Sequence, residues 1–170
     1  TVVEVKHRGG AHTPGDLMVW LPQSRVVFSG DIVYVDRMLG VIPVSHTGRW
    51  LQSFAALEAL QPARIVPGHG DVCDVPRAQA QTRDYLQALR THMKKAVDDG
   101  SDIGAAIKAF DAKPWLGLFN AAELHPGNAQ YPRGVPELIG ADEADVHHVG
   151  AQAPRALGER QAEFASEDPH

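Results

Sequence analysis

The stretch RVVFSGDIVY, residues 25–34, decides the fold. Its apolar run Val26-Val27-Phe28 reads as a strand, and the Ser29-Gly30 pair that follows delivers Asp31 to that strand's C-terminal end. Just upstream, LMVWL at 17–21 is a second short apolar run. Pro22, Gln23 and Ser24 supply turn chemistry between the two, so residues 17–29 read as a hairpin. Both runs are nearly all apolar, a pattern that asks for burial on both faces. TVVEV at 1–5 reads as a further strand, and the Gly9-Gly10 turn leads from it into a segment that carries His12 and Asp16.

Downstream of Asp31, residues 32–48 are broken by Gly40, Pro43 and Gly48 and read as a long loop, a length that in a compact domain goes with function. Residues 49–60 place Trp50, Phe54, Leu57 and Leu60 on one helical stripe, which Pro62 stops. A short strand at 64–66 runs into Pro67-Gly68-His69-Gly70. Pro76 opens a long helix to about Val97, with Leu86, Leu89, Met93 and Ala96 on one face, and Ser101 caps a shorter one carrying Ile103, Ile107 and Phe110. Beyond Pro114 the periodicity fades. The chain therefore divides into a structured part at 1–115 and an irregular segment at 116–170.

Composition excludes several classes of function. With 44% apolar residues in 170, the chain is able to bury one core. No apolar run approaches the ~20 residues that cross a bilayer, and no cationic start leads into an apolar run, so neither a membrane span nor a leader is visible in these 170 residues. The net charge of -5 lies in the tail: residues 131–170 hold three Arg, no Lys and eight acids, which leaves the rest neutral. Without a basic stripe or interleaved aromatics, neither nucleic acid nor an anionic membrane is an expected partner. Cys73 is the only cysteine, so an internal disulfide and a multi-thiolate zinc site are both excluded.

Any metal would have to sit on histidines and carboxylates, and the chain repeats one device three times: His12 in GGAHTPGD, Asp31 in FSGD and His69 in PGHG. Each follows a strand or turn and has glycines beside it. Loops at one end of an α/β layer converge, so residues distant in sequence meet there. Two imidazoles and a carboxylate suit zinc, which takes N and O ligands at about 2.0–2.2 Å.

The segments AHTPGDLMVWLP, VVFSGDIVY and RIVPGHG resemble, in order and spacing, the C-terminal half of the metallo-β-lactamase superfamily's domain, over roughly residues 1–110. The resemblance implies an α/β fold: half of an αββα sandwich, a mixed sheet with packed helices, followed by an irregular acidic tail. It implies that His12 ligates one zinc, Asp31 bridges two and His69 ligates the second. It implies a hydrolase in which metal-activated hydroxide attacks an ester, thioester, lactone or amide-like bond of a small-molecule substrate. The stretch GDIVYVDRMLGVIPVS further resembles members associated with bacterial sulfur oxidation and with quinoproteins. The family's HxHxDH motif, which completes the ligand set, is absent from the 170 residues. Alone, the chain is then expected to be inactive, with low occupancy of up to two zinc ions. The apolar strands would be half exposed unless an N-terminal half, a second copy of the chain or the tail covers them. The alternative reading is a non-catalytic half-domain that works only by association. A soluble chain of the cytoplasm or periplasm fits either reading.

Around these ligands, Asp16 either supports a ligand imidazole or caps its own turn. Tyr34, Arg37 and His46, in the long loop after Asp31, are candidate substrate contacts, the alternative being a merely solvated loop. His7, His92 and His125 read as surface or cap residues, and Cys73 as a small buried filler. The adjacent pair His147-His148 is a site for adventitious metal only. The tail reads either as a solvated acidic segment or as a shifted reading frame.

Overall fold

The computed structural model describes residues 2–130. Four strands, β1 (Glu4–His7), β2 (Leu17–Leu21), β3 (Val26–Tyr34) and β4 (Arg64–His69), form one sheet in the order β1-β2-β3-β4. The first two pairings are antiparallel and β3 pairs with β4 in parallel, through the crossover helix α1 (Thr47–Glu58). The parallel step brings the C-terminal ends of β3 and β4, with Asp31 and His69, to one rim. This is the mixed sheet with packed helices expected for a half sandwich.

The strands alternate. Cross-strand register puts Glu4, Trp20, Val27 and Ile65 in one row and Val5, Val19, Phe28 and Val66 in the next. From the first row, Trp20, Val27 and Ile65 are buried under the helices, together with Trp50, Phe54 and Leu57 of α1. Val5 and Phe28 of the second row remain 65% and 44% exposed. The apolar pattern of the strands asks for burial on both faces; among the described residues the helices cover one.

After β4 the chain turns through α2 (Val75–Ala78), a π-helical turn (Gln79–Arg83) and α3 (Asp84–Asp98). Asp74 caps α2 by accepting the Arg77 N–H, so the helix begins one residue before Pro76, and it passes through the wider turn at 79–83 that a continuous stripe does not reveal. Tyr85, Leu86, Leu89 and Met93 complete the core. α4 (Ile103–Ala109) follows on an Asp102 cap, where Ser101 was the expected one. A 3₁₀ turn (Lys113–Trp115) leads to α5 (Ala121–Asn128), a helix in a stretch where the sequence shows no periodicity. Two strands also run further than their apolar patterns suggest. β3 continues to Tyr34, and β4 to His69, because the Val35 N–H donates to the His69 carbonyl (3.0 Å) and holds the two ends together past the Gly30 irregularity. The tail at 131–170, with His147-His148, lies outside the described residues.

Candidate metal centre

Asp31 and His69 meet at the shared end of β3 and β4, with Nε2 of His69 3.7 Å from Oδ1 of Asp31. That is long for a hydrogen bond. It is close to the separation of two ligands that each stand about 2.0–2.2 Å from one tetrahedral ion. Both side chains are about one-third exposed, so a small molecule can reach them. Gly68 makes the approach of the strands possible: a Cβ there would collide with the Asp31 carboxylate and the Gly30 backbone. Gly70, at φ +92°, has no room for a side chain against Val35.

Tyr34 organises the rim. Its ring stacks on His69 with centroids 4.6 Å apart and stands 6.1 Å from His12 and 6.0 Å from Trp50. Burial, then the charge of nearby Asp31, raises its phenol far above the ordinary range. A pair of bonds with Thr82 of the π turn locks Tyr34 in place: the Tyr34 N–H donates to Thr82 Oγ1 (3.0 Å), and that hydroxyl donates to the Tyr34 carbonyl (2.6 Å).

His12 approaches from the β1–β2 loop. Its Nδ1 donates to the Gly40 carbonyl at 2.8 Å, and since a carbonyl only accepts, neutral His12 keeps its lone pair on Nε2. The Ser45 hydroxyl donates to the His12 carbonyl (2.6 Å), so the His12 loop and the long loop after Tyr34 are fastened together. With Tyr34 packed against both imidazoles, the structure brings Asp31 and His69 together and leaves His12 a step away. Among the described residues no three His, Cys, Asp or Glu side chains converge closely enough to hold one ion.

The remaining candidates divide. Of the two roles open to Asp16, its carboxylate serves the turn: it accepts the Thr13 N–H (2.8 Å) and the Thr13 hydroxyl (2.7 Å), while His12 is oriented by Gly40 instead. Arg37 brings its guanidinium close enough to Tyr34 to oppose the rise of the phenol, and its buried Nε has no hydrogen-bond partner. His46 caps α1 by accepting the Arg49 N–H (3.2 Å) and borders a pocket of ≈ 150 Å³ against Ala11, Thr13 and Pro14. Cys73 is buried opposite Ile65, and burial pushes its thiol up to about 11. His7 bonds the Asp16 carbonyl and His92 the Ala106 carbonyl. His125 departs from its expected surface position: it is buried, and Tyr85 Oη lies 3.0 Å from its Nδ1. Tyr85 and Phe110 pack against it and Trp115 packs against both of them, a cluster from distant parts of the chain that no local pattern signals.

Residues 2–69 match the model of the Metallo-beta-lactamase superfamily, and over that stretch the chain has the superfamily's fold. Among solved structures, the DIM-1 metallo-beta-lactamase is 30% identical, with 50% of this chain and 41% of that chain covered and a TM-score of 0.45. A metallo-beta-lactamase from Pontibacter korlensis is 28% identical over 50% of this chain and 41% of its own, with a TM-score of 0.46. The structure of VMB-1 gives 28% identity over 51% and 42%, with a TM-score of 0.45. The chain thus spans about two-fifths of the length of these proteins. No curated protein matches it.

Proposed function

We propose that this chain contributes the C-terminal ligand set of a metallo-β-lactamase-fold hydrolase that cleaves an ester, thioester, lactone or amide-like bond of a small molecule. The observation that carries the reading is the meeting of Asp31 and His69, from parallel strand ends, at 3.7 Å, beside a His12 whose Nε2 lone pair is left available. Asp31 and His69 would hold a zinc ion and His12 a neighbouring one. Zinc there supplies a Lewis acid and lowers the pKa of a coordinated water. The chain's own residues do the rest. The Tyr34 ring shields one side of His69 from water, and Arg37 offers a cation to an anionic substrate group or a developing oxyanion. His46 forms the wall of the adjoining pocket. In this reading the sequence 30–45 also carries the finer likeness to sulfur-oxidation- and quinoprotein-associated members. The ligands of an HxHxDH motif would come from elsewhere, so the chain alone turns over no substrate.

Two observations favour the second reading, a non-catalytic half-domain acting by association: the absence of a three-ligand group among the described residues, and the apolar sheet face that the helices leave uncovered. Zinc analysis of the dialysed protein separates them. About one or two equivalents, lost when Asp31→Ala is introduced, support a metal site completed by a second copy of the chain or by another chain. Less than about half an equivalent, unchanged by that substitution, supports the half-domain.

A further inference from the structure

We infer that Asn128, 116 residues away in the chain, is the positioning residue that fixes the imidazole of His12 for its ligand role; the inference deepens the metal-site reading and rests on it. Asn128 is 2% exposed and belongs to α5, a helix that contributes no ligand. Its Oδ1 accepts the Val41 N–H at 2.7 Å, and its Nδ2 donates to the Leu39 carbonyl at 2.7 Å. Donor and acceptor chemistry fixes the amide's orientation, since only the carboxamide oxygen can take an N–H. The amide therefore grips the backbone on both sides of Gly40, whose carbonyl receives the Nδ1 proton of His12 at 2.8 Å.

Among the described residues, Asn128 and His12 make the hydrogen bonds that hold the 39–41 backbone, and Gly40, lacking a side chain, has no anchor of its own. Without the grip the carbonyl is free to turn toward solvent, and the choice of ring nitrogen for the proton is lost with it. The second hydrogen of Nδ2 goes to Tyr85 Oη at 3.0 Å, which leaves the Tyr85 proton for Nδ1 of His125. The two outward bonds of the amide set the loop, and Tyr85 satisfies its remaining hydrogen.

The test uses the full chain and two readouts. In the metal-free protein, ¹⁵N-edited NMR of the imidazoles reports the His12 tautomer; in a competition titration with a chromophoric chelator, zinc affinity is measured. Wild type is expected to show His12 as the Nδ1–H tautomer. Asn128→Leu should convert it to a mixture and weaken zinc binding by roughly tenfold or more. Asn128→Asp, which keeps an acceptor for the Val41 N–H and loses the donor to Leu39, serves if the leucine variant does not fold and should fall between. Tyr85→Phe removes the Tyr85 bonds to Asn128 and His125 but keeps both outward bonds of the amide, and should leave both readouts near wild type. A variant that melts earlier yet retains the Nδ1–H tautomer would show a structural role alone and overturn the inference. Because the tautomer is read without metal, a wild type that binds no zinc would sink the metal-site reading while the NMR still decides this one.

Discussion

Asp31 and Gly68 show how much of the rim depends on one missing methyl group. Replacing Gly68 with Ala drives a Cβ into the Asp31 carboxylate, and the cost should be about 1–3 kcal/mol in stability together with loss of bound zinc. Chemical denaturation and metal analysis of Gly68→Ala check both. Cys73 makes the opposite kind of statement: with its thiol pushed up to about 11 by burial, only about one molecule in a thousand carries thiolate at pH 8. An alkylating reagent should leave the native protein essentially unlabelled and modify it promptly in urea; rapid native labelling would mean that the Ile65–Cys73 contact opens readily. Asp31, His12 and His69 stand out in the sequence as candidates because each lies beside glycines after a strand or turn. Thr82 and Asn128 do not, because their partners lie 48 and 87 residues away, and nothing in a threonine on a helix or an asparagine after Pro-Gly marks what it will touch.

At the level of elements, the parallel pairing of β3 and β4 does the organising, and the helices after it supply the supports. α1 and α3 could be read from their apolar stripes, whereas the π turn between α2 and α3 could not: it widens the backbone without breaking the stripe. α5 escaped because its buried polar groups, His125 and Asn128, look like surface residues in a window of sequence. Burial, then the charge of nearby His92, pushes the His125 imidazole below its ordinary value. A folded state that binds the proton less readily than the unfolded chain loses stability as pH falls below about 6.5, and keeps its full contribution above it. Urea midpoints measured from pH 7.5 to 5 should therefore decline, and His125→Gln, which cannot titrate, should flatten that decline. At the start of α2, Asp74→Ala removes the acceptor of the Arg77 N–H and should cost about 1 kcal/mol by the same assay.

At the largest scale, the described residues form a sheet with helices on one side. The row Val5, Val19, Phe28 and Val66 is continuous across all four strands and apolar throughout, with Val5 and Phe28 exposed and Val19 and Val66 half-buried. Such a face binds apolar surface. The isolated chain is expected to enhance the fluorescence of a hydrophobic dye strongly, and Phe28→Lys should reduce the signal; a wild type that binds no dye would show the face to be covered. The most direct test of the central claim is the crystal structure of the zinc-soaked protein with anomalous scattering at the zinc edge. The account predicts an anomalous peak about 2.0–2.2 Å from both a carboxylate oxygen of Asp31 and Nε2 of His69. A peak placed elsewhere, on His147-His148 for example, or none at saturating zinc, would contradict it.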